Sequence, residues 1–345
     1  MDIMYNNLFI FILVFLMQCS RYRSIKQPYV VINTVKYNTL QEEFEHDFAF
    51  LYKEIRNNYV NLAYKEKRYN FKWDKLYDKY KQKISDIKTY KEFYKICTEF
   101  TAYLHDGHLR FLWVPSKKKR RILEDDYLIR KAISLCLIEN KGIVSQAVKE
   151  VIIDVRGNGG GNESSREILG FLTAKKIIIN RYRFKDTERF RQLHGKKRIL
   201  FENLRSPSFR EHLDEGYTKW WGWVLKPQKE DYLRTVPVIV IYDNHIFSDA
   251  IGFVKTCKQF NLATIMGPSM ELTNNGFTSP VLLPGGNFSI KYSAMEFRKP
   301  DYTYEEYLKP DIELHIKLDD VYQGKDTLLE AAISFLNKKV KPGSY

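Results

Sequence analysis

Apolar residues follow two different patterns in the two halves of the chain. Between about residues 40 and 104 they recur every three or four positions with Lys and Glu between them, as in FEHDFAFLYKEI and TYKEFYKICTEFTAYL. This spacing predicts amphipathic helices, and therefore a small helical domain over residues 36–108. We interpret the charges on these helices as solvated faces.

In the second half, continuous apolar runs end in polar turns. VKEVIIDV leads through a glycine-rich turn into ESSREILGFLTA, and VPVIVIY leads through DNHIFS into DAIGFVKTCKQF. Such runs predict buried strands, each followed by a helix, in a sheet covered on both faces. Further strands are predicted at ATIMG, PVLLPGG, FSIKYSAMEF and DIELHI, and a closing helix at KDTLLEAAISFLNKK. We therefore predict an α/β core over 148–340, joined to the helical domain by a strand and a basic loop over 109–147.

The amino terminus carries the apolar run LFIFILVFLMQ, which Cys19 follows directly. The run is too short to span a bilayer as a helix, but it suits the hydrophobic region of a secretory signal. A cysteine in this place is similar to the lipid-bearing residue of a bacterial lipoprotein. We therefore predict a signal peptide over residues 1–19, Cys19 as a candidate lipid attachment site, and an exported protein of the cell envelope, periplasmic or an outer-surface lipoprotein. The alternative is an uncleaved hydrophobic anchor.

Composition narrows the class of protein without naming it. The 345 residues are 44% hydrophobic and 28% charged, as in a globular protein, and 56 Lys and Arg against 42 Asp and Glu give a net charge of +14. That charge favours acidic partners such as nucleic acid, anionic lipid or envelope polymer. Four cysteines without a CxxC pair exclude a disulfide-dense scaffold and a cysteine-rich zinc module. Because no cluster of ligands has metal-like spacing, we expect neither a metal nor an organic cofactor.

The turn RGNGGGN, residues 156–162, holds four glycines between a buried strand and a helix. Glycines allow the backbone to approach other atoms closely, and the amides at a helix amino terminus attract negative charge. The phosphate-binding pattern GxxxxGK[ST] and the dinucleotide pattern GxGxxG are both absent. The turn is therefore either an oxyanion hole or a purely structural feature.

Ser248 and His108 are candidates for chemistry in two other turns. Ser248 lies where a strand passes into a helix, in HIFSDAIGF, as either an ordinary N-cap or an exposed nucleophile. His108 lies in the polar turn of HDGHLRF, as either a structural residue or a general base.

The order of these segments resembles the C-terminal processing peptidase family, also called tail-specific proteases, and most closely its tricorn-type branch of serine peptidases. The segments are VIIDVRGNGGGN, PVIVIYDNHIFSDA, the DGH turn and PDIEL, and the resemblance covers roughly residues 40–337. It implies an α/β fold with a crotonase/ClpP-like core of strand–turn–helix units. It also implies hydrolysis of peptide bonds in a peptide or protein substrate.

The resemblance further implies a role for each matching residue. Ser248 is the nucleophile, His108 is the general base, and Glu305 is the acidic residue that orients the histidine. The backbone amides of Gly161 and Asp249 form the oxyanion hole.

Three features depart from the family pattern. No lysine lies between Lys258 and Lys291, where the bacterial processing enzymes carry the lysine of a Ser–Lys dyad, so we expect the histidine mechanism instead. Gly107 stands where tricorn-type enzymes carry a serine. The stretch between the DGH turn and the first core strand is too short for a PDZ domain. In addition, Glu306 is an alternative to its neighbour Glu305.

Three other classes of function stay open at this stage. A non-catalytic envelope protein would use the same fold to bind peptide or polymer. A nucleic-acid-binding protein is suggested only by the net charge and the block KKKRR, and no known nucleic-acid module accompanies them, so we expect no nucleic-acid partner. An acyl-CoA-type enzyme on the related crotonase-like fold would share the glycine-rich turn, but gives no role to the serine and the histidine.

Overall fold

The structure is a computed structural model that describes residues 3–5, 8–14, 35–114, 150–160, 165–192, 208–209, 215–229, 232–273 and 275–339. Two predicted sites, Cys19 and Gly161, lie outside these residues.

Four helices form the amino-terminal region. They are α1 (Leu40–Asn58), α2 (Leu62–Arg68), α3 (Trp73–Ile84) and α4 (Tyr90–Ala102). Polar caps start two of them: the Thr39 side chain accepts the amide of Glu42, and Thr89 and Glu92 form a reciprocal capping box. The solvated-face interpretation is wrong for four charged residues, which are buried where the helices meet the rest of the protein: Glu43, Asp47, Glu54 and Lys65.

A sheet of mainly parallel strands carries the strand–turn–helix units. Its described strands run in the order β1 (Ile3–Tyr5), β2 (Leu8–Val14), β4 (Glu150–Asp154), β8 (Val238–Ile241), β9 (Thr264–Gly267) and β14 (Ile312–Glu313). Two helices follow β4 and β8 in the chain, α5 (Ser165–Leu172) and α6 (Asp249–Gln259), and two lie near the carboxyl end, α7 (Leu318–Tyr322) and α8 (Thr327–Lys339).

The strands β4 and β8 are buried on both faces, as the apolar runs predict. Val151 and Ile153 of β4 pack with α5 and α6 on one face, whereas Ile152 packs with α8 on the other. The apolar segment predicted as the core of a signal peptide contributes β2, which pairs in parallel with β4. No helix among the described residues is both long and apolar enough to cross a membrane.

A second, antiparallel sheet links the helical region to this core. Its described strands are β3 (Arg110–Trp113), β5 (Ile177–Phe184), β6 (Ser208–Phe209), β7 (Trp220–Leu225), β11 (Asn275–Leu282) and β12 (Phe288–Arg298), and a separate short pair is formed by β10 (Met270–Glu271) and β13 (Tyr307–Leu308). The helices bury their apolar faces against β3, β11 and β12 in one continuous core. The turn between α4 and β3 is therefore held between the helical region and the sheets.

Candidate active site

Two turns of the parallel sheet meet at the carboxyl ends of adjacent strands. The glycine-rich turn follows β4, the turn ending at Ser248 follows β8, and these two strands pair with each other. Gly160 has φ +78°, and a Cβ atom at this position would lie 2.4 Å from the Phe247 carbonyl oxygen and 2.8 Å from the Ser248 Cβ. Only glycine fits such a contact, so the two turns are packed backbone against backbone.

Hydrogen bonds fix the two turns to each other. The Phe247 amide donates to the Asn158 carbonyl at 2.9 Å, and the buried Asn158 side chain accepts the Gly160 amide at 2.9 Å. The Gly157 amide donates to Asp243 Oδ1 at 3.0 Å. The amide of Asp249 consequently lies directly beside Gly160, only 2.7 Å from the position that a Cβ there would take.

Ser248 has an unusual backbone conformation for a residue other than glycine. Its φ of 55° and ψ of −117° lie in a strained region, although the helix α6 begins directly after it. Ser248 is exposed, and its side chain makes no capping hydrogen bond within the described structure. The hydroxyl is thus held at the surface of the turn instead of serving as an ordinary N-cap.

The turn that carries His108 is built around a buried carboxylate. Asp106 accepts the Tyr59 hydroxyl at 2.6 Å, the His108 amide at 2.8 Å and the side-chain amide of Asn275. One residue earlier, His105 has φ 44°, and its carbonyl accepts Lys65 Nζ at 3.0 Å.

His108 packs against the residue that precedes Ser248. The ring centroids of His108 and Phe247 are 4.5 Å apart. Gly107 allows this approach, because a Cβ at that position would lie 2.7 Å from the Phe247 ring. The serine that tricorn-type enzymes carry there would collide with the ring, so glycine at 107 and phenylalanine at 247 fit each other. The histidine turn thus lies against the turn that carries Ser248.

The environment of His108 keeps its imidazole neutral. Burial lowers its pKa from the usual value of 6.5, while the charge of Asp106 and the polar side chain of Asn275 raise it in part. A neutral imidazole at neutral pH can accept a proton, which is the requirement for a general base.

The two candidate acidic residues lie in different surroundings. Glu305 forms an ion pair with Lys255 of α6, with 3.2 Å between Oε2 and Nζ, and burial lowers the pKa of Lys255. Glu306 is exposed, pairs with Arg68 at 2.9 Å and accepts the Tyr64 hydroxyl at 3.2 Å.

The structure therefore gathers Ser248, the amide of Asp249, and His108 around Phe247 and Gly160, while Gly161 is the next residue after the described part of its turn. Sequence reasoning missed Asp106 and Asn275, which support the histidine turn. Asp106 could have been found from its place two residues before His108, whereas Asn275 carries no local signal. Among the described residues, no group of three His, Cys, Asp or Glu side chains could hold a metal ion.

Solved structures of peptidases resemble this chain in fold. A candidate peptidase from Parabacteroides merdae is 21% identical with a TM-score of 0.62, and the match covers 87% of this chain and 98% of that one. Mature CPAF is 12% identical with a TM-score of 0.60, over 81% and 94% of the two chains. The tricorn protease is 14% identical with a TM-score of 0.50, over 87% of this chain and 37% of its own. These likenesses confirm the predicted mixed α/β fold with a small helical region at the amino terminus.

Comparison with family models shows the family of the chain. A search of curated proteins gave no match. The model of the tricorn protease C1 domain matches residues 40–102, which hold α1 to α4. The model of Peptidase family S41 matches residues 134–314, which is more than half of the chain and includes the glycine-rich turn and the turn that carries Ser248. The predicted family is confirmed: the chain belongs to Peptidase family S41 and is a peptidase.

Proposed function

We propose that the protein is a serine peptidase in which Ser248 attacks the carbonyl carbon of a peptide bond. The backbone contact between Gly160 and the Ser248–Asp249 segment carries this proposal. In this contact the exposed Ser248 is next to the amide of Asp249, which supports a role for that amide in receiving the developing negative charge. The amides of Asp249 and Gly161 form the oxyanion hole, in which one donor typically contributes about 10²–10³ in kcat.

His108 serves as the base in this proposal. It takes the proton of the Ser248 hydroxyl as the bond from oxygen to carbon forms, and returns that proton to the leaving amine as the peptide bond breaks. Water then attacks the acyl-enzyme by the same route and releases the second product. The packing of His108 against Phe247 and its lowered pKa support the role.

Glu305 is the acidic third member that the resemblance assigns, and Glu306 is its alternative. The ion pair with Lys255 links Glu305 to the helix that begins after Ser248, whereas Glu306 is bound by Arg68 at a more exposed position. These surroundings favour Glu305 over Glu306.

We also propose that the substrate meets this peptidase outside the cytoplasm. The apolar run before Cys19 supports export, and the cysteine offers a site for a lipid that would tether the protein to the cell envelope. Labelling of growing cells with a palmitate analogue tests this, because Cys19→Ala should lose the label.

The catalytic proposal is tested by replacing Ser248. We expect the purified protein to cleave peptides and to react with a fluorophosphonate probe, and Ser248→Ala to lose both properties while keeping its fold by circular dichroism. Ser85→Ala is the matched control, since Ser85 is an exposed serine at the end of α3 and should keep both.

Cleavage or labelling retained by Ser248→Ala would remove Ser248 from its role. A folded native protein that neither cleaves nor reacts would favour the non-catalytic alternative, a protein that binds peptide or polymer with the same fold.

A further inference from the structure

A histidine that acts as a general base needs a partner for its second ring nitrogen. The nitrogen facing the nucleophile must be bare, so the proton has to sit on the other one, where an acceptor holds it. We infer that Asn275, itself held by Asp106, is the residue that orients His108. The inference rests on the proposed function and gives Asn275 the orienting contact that the resemblance assigns to Glu305.

The Asp106 carboxylate fixes the direction of the Asn275 amide. Asn275 is buried at the start of β11, and its side-chain nitrogen donates to Asp106 Oδ2. A carboxylate only accepts hydrogen bonds, so the amide must turn its nitrogen toward Asp106 and its oxygen away. The negative charge of Asp106 thus sets the orientation of this amide.

Two buried atoms complete the argument. His108 Nδ1 and Asn275 Oδ1 are both buried and, within the described structure, neither has a hydrogen-bond partner. Both side chains nevertheless lie beside the same carboxylate: the Asn275 side-chain nitrogen donates to Asp106 Oδ2, and His108 Nδ1 is 3.8 Å from Asp106 Oδ1. The Asn275 side chain also raises the pKa of His108, as expected for a polar neighbour that favours the protonated ring. Catalytic contacts are often imperfect in a free enzyme and tighten with substrate.

Asp106 itself is badly placed to accept the same proton. Its Oδ1 lies 3.8 Å from His108 Nδ1, which is beyond hydrogen-bond distance, and already accepts the His108 backbone amide. Tyr59 binds the other oxygen, and the side chain of Asp106 is fully buried. Asp106 is therefore a rigid support that acts on His108 through Asn275.

A chain of hydrogen bonds then connects Asp106 through Asn275 and His108 to the nucleophile Ser248. Asp106 accepts from the Asn275 amide nitrogen, the Asn275 oxygen accepts the Nδ1 proton of His108, and Nε2 is left bare to accept the proton of Ser248. Both Asn275 and Asp106 are positioning residues, because neither touches the reacting atoms.

The inference is tested by reading the tautomer of His108 directly. The protein has seven histidines, so ¹⁵N spectra above pH 7 are assigned by difference with His108→Gln. Spectra are recorded in the Ser248→Ala background, which makes the reading independent of activity and of the proposed function. We expect the Nδ1–H form in the parent and a mixture of both forms in Asn275→Ala.

Asp106→Asn provides a sharper variant. The new amide nitrogen would face the side-chain nitrogen of Asn275, and two donors cannot bond to each other. The Asn275 amide should therefore rotate by half a turn, so that its nitrogen donates to His108 Nδ1. The Nε2–H tautomer is then expected, and with Ser248 present kcat should fall about 10²–10⁴-fold with little change in KM. The double variant Asp106→Asn/Asn275→Asp reverses both partners, and should restore the Nδ1–H form and much of kcat.

Tyr59→Phe is the matched control, because it removes a different hydrogen bond from the same Asp106 oxygen. It should keep the Nδ1–H tautomer. An unchanged tautomer in Asn275→Ala, or no recovery in the double variant, would overturn the inference. Loss of the Nδ1–H tautomer in Tyr59→Phe would also overturn the inference, since it would mean that any disturbance of the Asp106 carboxylate changes the tautomer of His108.

Discussion

Gly160 and Gly157 lie in the same turn with similar positive φ, +78° and +65°, but only one of them touches the site. A Cβ at Gly160 would meet backbone atoms of Phe247 and Asp249, whereas no atom of the described residues lies within 4 Å of a Cβ at Gly157. We therefore predict that Gly160→Ala lowers kcat/KM by about 10²-fold or more, because the oxyanion amide and Ser248 are displaced. Peptide hydrolysis rates measure the effect.

Gly157→Ala is the matched control. It carries the cost of a left-handed backbone for alanine, roughly 1–2 kcal/mol, without a clash. Thermal unfolding should show a loss of stability in both variants, and only Gly160→Ala should lose activity. Equal activity in the two variants would mean that the close contact at Gly160 does not shape the site.

Single residues also show what the sequence could and could not predict. The sequence makes Ser248 and His108 candidates because each stands in a turn at the end of a predicted element. The sequence did not indicate Asn275, because the contact that gives it a role is its hydrogen bond with Asp106. Asp106 is distant in the chain, and the pairing of β11 in the second sheet brings the two residues together. A short polar residue at the start of a strand gives no local sign of such a contact.

At the scale of elements, the strand–turn–helix units were predictable, whereas in the second sheet the strands β3, β11 and β12 were predictable and β5, β6 and β7 were not. β8 is a continuous apolar run and β4 is apolar between its terminal Glu150 and Asp154, since parallel strands are buried on both faces. β5 instead carries charged residues, and its Arg183 is buried against Glu296 of β12 with Tyr217 and Trp220 beside it. The partner that neutralises Arg183 lies on another strand of the sheet. The sequence alone therefore gives no sign that such charged residues are buried.

Helix α1 meets the turn before β12 through a buried carboxylate. Asp47 accepts the Gly285 amide at 2.8 Å through Oδ1, and Glu43 lies nearby. Its Oδ2 is buried and has no hydrogen-bond partner among the described residues. Burial, with a further contribution from the Glu43 charge, raises the pKa of Asp47 from 3.8 to about 7. The junction between the helix and the sheet is therefore weakened when Asp47 ionises.

Asp47→Asn should remove this weakness. The raised pKa means that the native state binds the Asp47 proton more tightly than the unfolded chain does. The contribution of Asp47 to the free energy of unfolding is therefore most favourable at low pH, and it is lost as the pH rises from 3.8 through about 7. The variant should match the parent in free energy of unfolding near pH 4 and exceed it above pH 7, by at most roughly 4 kcal/mol. Urea unfolding at several pH values measures the difference.

Glu45→Gln is the control, because Glu45 lies on the exposed side of the same helix and its neutralisation changes no buried charge. A pH-independent difference between Asp47→Asn and the parent would show that Asp47 does not titrate in this way.

At the scale of the whole molecule, the site depends on two regions being joined. His108 follows the helical region, Ser248 belongs to the parallel sheet, and the second sheet connects them through the core shared by α1, α4, β11 and β12. The sequence predicted both regions, but their docking is set by contacts between distant segments. The net charge of +14 acts at this same scale, on whatever approaches the site.

The charge predicts a preference for acidic substrates at low salt. A field of this sign concentrates anionic peptides near the protein, and at 0.1 M salt it is screened within about 10 Å. We compare peptides with one scissile sequence and flanks of either Glu or Lys. The ratio of kcat/KM for the Glu peptide to that for the Lys peptide should fall about 3- to 10-fold between low and high salt.

A peptide with Gln flanks separates this effect from a general effect of salt on the enzyme. Its kcat/KM should change little, because an uncharged substrate gains nothing from the field. If instead the Glu preference persists at high salt, it comes from contacts within the substrate cleft, where close pairs escape screening. A Glu-to-Lys ratio of kcat/KM near one at every salt concentration would mean that the positive charge lies away from the path of the substrate. The charge would then act on another partner, such as an anionic envelope.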